Sequence, residues 1–162
     1  MNCPQDRRIQ ISGESLAEVE DFCYLGGILT QFGGSVEDVA GRLQKTRGAF
    51  ENLSAVWKSK ELSLSTNMTF YCSIVETTFL YGCECWTLTK NLEKRIRVFQ
   101  RRFLRRILMI FYPTVISNVE LLRTTGQVDI AVKVTERKWW WIGHIARKDP
   151  HHLTWSHFNV VI

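Results

Sequence analysis

The chain has no apolar run long enough to cross a bilayer. Its longest runs, such as Ile107 to Tyr112, fall far short of the roughly 20 residues a spanning helix needs. No signal peptide is expected, because Met1 is followed by Asn, Cys, Pro, Gln, Asp and two arginines. The five cysteines, at 3, 23, 72, 83 and 85, are odd in number and cannot form a closed set of disulfides. Reduced thiols inside the cell, in cytoplasm or nucleus, are the economical expectation. Glycine-rich phosphate loops, a Gly-x-Ser-x-Gly elbow and a His-Glu-x-x-His helix are all missing. No two aspartates are adjacent, and the five present, at 6, 21, 38, 129 and 149, are scattered. A two-metal site needs carboxylates that converge. Cys83-Glu84-Cys85 has a one-residue spacing where structural zinc sites pair ligands two to four residues apart. With Cys72 before it and only histidines (144, 151, 152, 157) downstream, no metal site is expected. Neither a catalytic residue nor a cofactor is expected.

What is present fits a folded chain. The 162 residues predict one domain with a piece of a second. Hydrophobic residues make up 45% and charged residues 23%, which argues against disorder. A net charge of +5 raises the prospect of a polyanionic partner without establishing one.

The runs at 7–11 and 19–29 read as two short strands of one hairpin. Ser35 fits a helix N-cap with Glu37 and Asp38 in the first turn, so a helix is placed at 35–58. Ser65 or Thr66 caps a second, which runs through Phe70, Ile74 and Phe79 to Gly82 and is apolar around most of its circumference. Thr89 caps a third, expected to reach Phe111 before Pro113 stops it. A short fourth, 118–124, has Ser117 as cap and Gly126 behind it. A last helix covers 128–147, with Ile130, Val134, Trp141 and Ile145 on its inner face.

The third helix has the clearest pattern. At 100° per residue, Leu92, Ile96, Phe99, Phe103, Ile107 and Ile110 form one stripe. Lys94, Arg97, Arg101 and Arg105 lie opposite, Arg95, Arg102 and Arg106 on one flank, Leu104 and Leu108 on the other. Residues 93–106 hold seven Lys/Arg and one acid. Such a face repels itself by a few tenths of a kcal/mol per close pair. A polyanion would relieve that, and arginine suits bidentate phosphate contacts. The residues alone leave nucleic acid and a merely solvated face both open.

Lys138-Trp139-Trp140-Trp141-Ile142-Gly143-His144 poses a second question. Three consecutive helical residues cannot all face one core. Trp141 is expected inside, so another ring is exposed or covered by another element. Beside Arg137, Lys138, Arg147 and Lys148, an exposed ring suits stacking on unpaired bases. Packing under the C-terminal tail is the alternative. His144 reads as a hydrogen-bonded packing residue, and Gly143 as the mark of a tight helix crossing.

Four segments together resemble a known family. They are Phe22-Cys-Tyr-Leu-Gly26, Tyr81-Gly-Cys-Glu-Cys-Trp-Thr-Leu88, the Lys94 to Leu108 run and Trp141-Ile-Gly-His144. Their order and separation, over residues 7–149, are similar to the C-terminal part of reverse transcriptases from non-LTR retrotransposons, nearest to the RTE-like endonuclease–reverse transcriptase group. The resemblance implies that Phe22 to Leu29 is the last palm motif, which grips the primer end and gives Tyr24, Leu25 and Gly26 a nucleic-acid contact. It implies that the following helices are a thumb holding the template–primer duplex. The family's catalytic aspartates lie in palm motifs that would precede Met1, so no polymerase activity is expected of these residues. Cys85 departs from the Ser or Thr expected there, and the tail after Pro150 matches nothing in the family.

The expectation is therefore a mainly α chain, a thumb-like helical bundle preceded by one small β-hairpin. Its divisions are 1–34 (palm end), 35–112 (thumb-like bundle), 113–149 (helical extension) and 150–162 (irregular tail). The expected partner is an RNA or DNA duplex, template–primer in kind, bound without sequence preference. The expected contacts are Tyr24, Leu25, Gly26, Lys94, Arg97, Arg101, Arg102, Arg105, Lys138 and Trp140. No membrane partner is expected, and a thumb without its palm should self-associate through apolar surface. A helical protein-interaction module and a relic without function are the alternatives.

Overall fold

A computed structural model describes residues 34–148 and the backbone of residues 10–11, 14–15, 21–24 and 27–30. The chain divides into two compact units, Met1–Gly34 and Ser35–Ile162.

In the first unit, strand β1 (Gln10–Ile11) pairs antiparallel with β2 (Glu14–Ser15). Strand β3 (Asp21–Tyr24) pairs antiparallel with β4 (Gly27–Thr30), with Tyr24 opposite Gly27. Each strand thus pairs with its near neighbour, and the expected pairing of 7–11 with 19–29 is replaced by two local ones. Short separations win because they cost the least loop-closure entropy.

The second unit is mainly helical. Helix α1 (Ser35–Asn52) is followed after Leu53 by α2 (Ser54–Lys58). The continuous helix expected over 35–58 is therefore broken once. Ser35 begins α1, and its hydroxyl accepts from the backbone N–H of Thr87 across the fold. Helix α3 (Leu64–Phe70) is capped by Ser63, which accepts from the N–H of Thr66, two residues before Ser65 and three before Thr66, the caps the sequence favoured. A π-helical turn (Tyr71–Glu76) joins it to α4 (Thr77–Leu80).

Helix α5 (Lys90–Ile107) has Thr89 as its N-cap, accepting from the N–H of Leu92. It ends four residues before Phe111, by its own backbone geometry rather than at Pro113. Met109 takes a left-handed φ of 54°, its N–H reaches the Arg106 carbonyl, and the N–H of Ile110 reaches that of Arg105. This is a Schellman arrangement, with methionine where glycine is usual. Helix α6 (Asn118–Thr125) lies between its Ser117 cap and Gly126, at φ 63°. Helix α7 (Ile130–Ala146) is capped by Asp129, whose carboxylate accepts from the N–H of Ala131.

Two buried clusters hold the helices together. One joins Val39, Phe79, Leu80, Cys83, Trp86, Leu92, Ile96, Ile130, Ala131 and Val134. The other joins Phe50, Trp57, Met68, Tyr71, Val75, Phe103, Leu104, Ile107 and Leu121. The π turn lies where the chain passes from the second cluster (Tyr71, Val75) to the first (Phe79, Leu80). Its wider turn shifts the phase of the apolar stripe between the two. Ile74 is left outside and exposed, so this helix is not apolar all round. Trp86 is buried and donates its indole N–H to Asp38 at 2.6 Å.

The buried face of α5 is Leu92, Ile96, Gln100, Phe103, Leu104 and Ile107. It is rotated from the expected stripe toward Gln100 and Leu104. Phe99 is half-buried, and Ile110 lies beyond the helix. Gln100 is 1% exposed. Its amide donates to the Val128 carbonyl at 2.8 Å and accepts from the N–H of Ile130 at 3.0 Å, fixing the start of α7. Gln100→Leu leaves both backbone groups without these partners in a dry site, at a cost of about 2–3 kcal/mol. Urea unfolding should show a lower midpoint with an unchanged m-value.

Candidate nucleic-acid interface

Helix α5 presents its polar side beside α1, and an open groove of about 1030 Å³ runs along it. Lys94, Arg95, Arg102, Arg105 and Arg106 of α5 line this groove, joined by Arg47 and Glu51 of α1. Its apolar lining includes Val98, Phe111 and Tyr112, which are 56%, 55% and 94% exposed. Val98 stands at the outer pole of α5, with cations at i−4, i−3 and i+4.

The α5 cations fall into two sets. Arg97 and Arg101 fold back on Asp129, at 3.1 Å and 3.4 Å, and Arg97 also reaches Glu93 at 3.1 Å. Arg106 grips Glu51 with both terminal guanidinium nitrogens. Arg105 donates to the Ile116 carbonyl and to Asn118 Oδ1, at 3.3 Å and 2.9 Å. Lys94, Arg95 and Arg102 have no hydrogen-bond or ion-pair partner among the described residues. The face is therefore not uniformly uncompensated as its sequence implied. Asp129 lies about 30 residues downstream, beyond the reach of a helix-wheel argument.

The charge states follow these contacts. The Arg106 hydrogen bond holds the Glu51 carboxyl below its ordinary range. A depressed carboxylate contributes stability above its unfolded pKa and loses it as pH falls through the folded value. The Glu51–Arg106 pair therefore persists at neutral pH and opens only in acid. The hydrogen bond to Asp129 raises the pKa of Arg97.

Of the expected contacts, the groove brings together Lys94, Arg102 and Arg105. Arg97 and Arg101 are directed to Asp129. Lys138 is half-buried, with its ammonium 3.2 Å from the Trp86 carbonyl. Only the backbone of Tyr24 is described, and Leu25 and Gly26 lie outside the described residues, as does the tail beyond residue 148.

Helix α7 carries an aromatic surface. Trp139 is 67% and Trp140 70% exposed, and Trp140 lies parallel to the His144 ring at a centroid distance of 6.0 Å. Trp141 is 40% exposed, so its expected place in the core is corrected. The inner face is Ile130, Ala131, Val134 and Ile145, with the half-buried Lys138 and Ile142 between them. The face runs through Lys138, whose ammonium donates to the Trp86 carbonyl, and Ile142, and leaves Trp141 to one side. His144 is exposed rather than packed inside. Among the described residues a Cβ on Gly143 would meet only the Arg147 guanidinium, at 3.4 Å, so no described helix crosses tightly there.

Burial pushes the Cys83 thiol up to about 12 and also raises that of Cys85. Among the described residues no three His, Cys, Asp or Glu side chains are grouped to hold a metal. No described helix is long and apolar enough to cross a membrane.

The chain is 28% identical over 148 residues to a transposon-derived, uncharacterized protein of Caenorhabditis elegans. The likeness points to a transposable-element origin. It covers 88% of this chain and 52% of the relative, so the chain spans about half the length of the curated protein it matches. No family model matches the chain, and no solved structure does.

Proposed function

We propose that this chain derives from the C-terminal part of a non-LTR retrotransposon reverse transcriptase, and that its helices are a thumb-like bundle. In this reading it binds template–primer nucleic acid without regard to sequence and performs no polymerisation itself. The observation that carries the reading is the groove beside α5, where Lys94, Arg95 and Arg102 stand without hydrogen-bond or ion-pair partners among the described residues, in a lining that includes the exposed Phe111 and Tyr112. Three cations spaced along one helix match the repeated negative charge of a nucleic-acid backbone, and each phosphate contact releases counterions. The transposon-derived relative and the order of the four sequence segments support the same origin.

The experiment is competition for a fluorescein-labelled RNA–DNA primer–template duplex. Unlabelled duplexes of unrelated sequence should compete equally, mole for mole. A folded, monodisperse sample that leaves the probe free at low salt would remove the reading.

A second reading, a helical protein-interaction module, draws on the exposed Trp139, Trp140 and Trp141. A sedimentation series across protein concentration addresses it. Self-association that Trp140→Ala abolishes favours this second reading, and a constant monomer mass disfavours it.

A further inference from the structure

Helices α5 and α7 flank a second open groove, of about 400 Å³, that shares no lining residue with the basic groove beside α1. Ala131, Val132 and Trp139 of α7 give it an apolar wall, with Val132 42% and Trp139 67% exposed. Val132, Glu136 and Trp139 follow one another at i, i+4 and i+7, so they lie along one face of α7. The charge here runs against that of the whole chain, which is +5. Glu93 and Glu136 are the acids of the lining and Arg97 is its base. Arg97 is matched by Glu93 and by Asp129, each at 3.1 Å. Glu136 is exposed and has no hydrogen-bond or ion-pair partner among the described residues. A polynucleotide or an anionic lipid surface would be repelled by it. An uncharged apolar segment would cover Val132 and the indole but strip water from the carboxylate without replacing it. A ligand that suits the whole lining brings a cation and an apolar group side by side.

We infer that this groove docks a polypeptide segment of a partner protein in which an arginine stands beside an apolar side chain. The guanidinium lies over the Trp139 ring and pairs with Glu136, while the apolar side chain covers Val132. Glu136 and Trp139 are neighbours at i and i+3 on α7, so a single cation reaches both. An indole face attracts a cation through its quadrupole, and a planar guanidinium also stacks on it. The Thr135 hydroxyl donates to the Ala131 carbonyl at 3.0 Å, so it makes no demand for a hydrogen-bond acceptor on the segment. The inference stands apart from the nucleic-acid reading, because Lys94, Arg95 and Arg102 take no part in it. It differs too from self-association through Trp140, because neither Trp140 nor Trp141 lines this groove.

The test uses the full chain, without nucleic acid, and three labelled peptides followed by fluorescence anisotropy. The first repeats the unit Leu-Arg-Ser. The second has citrulline for arginine, which keeps the shape and removes the charge, and the third has serine for leucine. The wild type should bind the first about fivefold more tightly than either control, the effect of one cation on an exposed ring together with one exposed ion pair, or of one covered apolar side chain. Trp139→Leu should weaken that binding about threefold. Glu136→Gln should weaken it about threefold and make it less sensitive to salt. Glu61→Gln removes the same charge from an exposed site outside the groove and should change nothing. Glu136 and Trp139 are exposed, so all these variants should melt like the wild type. Absence of binding by a folded sample overturns the inference, as does equal binding of the first peptide and either control. An affinity that survives both Trp139→Leu and Glu136→Gln overturns it too. A loss from Glu61→Gln as large as that from Glu136→Gln would show an effect of net charge alone and overturn the site. Each of these failures leaves duplex binding by the basic groove standing.

Discussion

The double reversal K94E/R102E is expected to weaken binding of a primer–template duplex at least tenfold in about 0.1 M salt, with the melting temperature nearly unchanged. Both residues line the groove without a partner among the described residues, so the fold loses little when they change. Each lost phosphate contact makes the slope of log affinity against log salt shallower by about 0.9, so the pair removes about 1.8. The contrasting variant R97E/R101E should behave in the opposite way. Those guanidiniums meet Asp129, which also caps α7, and two new acids beside it would repel it. A stability loss of about 2 kcal/mol or more is expected, because a half-buried carboxylate loses its counter-charges. Thermal melts and anisotropy titrations of the two double variants give the comparison. If both lose affinity equally while neither loses stability, the division of α5 into a contact set and a structural set is wrong. Arg101 and Arg105, which the helix wheel favours as a test pair, would mix the two effects, since both hold other parts of the fold.

Phe103→Ala should destabilise the helical unit by about 3–5 kcal/mol. The Phe103 ring is 3% exposed, stacks on Phe50 at 4.1 Å with planes 3° apart, and meets Phe99 edge-on at 4.3 Å. Phe50 stacks in turn on Trp57, whose indole N–H donates to the Phe50 carbonyl at 2.8 Å. Removing one ring leaves a cavity between helices whose positions are fixed by these neighbours, so little collapse is available to refill it. The melting temperature should fall by roughly 10 °C or more. Phe103→Leu, which keeps most of the volume, should cost markedly less. A Phe103→Ala protein that melts within 2–3 °C of the wild type would show that this aromatic column is not a main support of the fold.

What the sequence revealed of this fold follows from locality. Ser117 and Gly126 mark both ends of α6, and Thr89 marks the start of α5, because caps act within three or four residues. The end of α5 was illegible, because a Schellman turn normally announces itself by glycine and here Met109 fills the position. Gln100 was invisible to an apolar wheel, since a polar residue on the core side is recognised only by the backbone groups it satisfies, Val128 and Ile130. Trp141 was misplaced for the converse reason. A large apolar residue at core spacing was assumed buried, while the inner face of α7 runs instead through Ile130, Val134, the half-buried Lys138 and Ile142, and Ile145. For the candidate groove, the sequence showed that α5 is basic but not which cations are available. Ion pairs with Asp129 and Glu51 join distant segments, and those pairs decide the question. Phe111 was read as the helix end and Pro113 as the stop, so the place of Phe111 and Tyr112 in the same groove lining as Arg102 appeared only in three dimensions.

The most direct measurement is the salt dependence of wild-type affinity for an RNA–DNA primer–template, followed by fluorescence anisotropy. With between three and six groove cations on phosphates, log affinity should fall against log salt with a slope between about −3 and −5. K94E/R102E should flatten it by about 1.8. A wild-type slope near zero, or one that the double reversal leaves unchanged, would contradict the account of α5 as a nucleic-acid contact face.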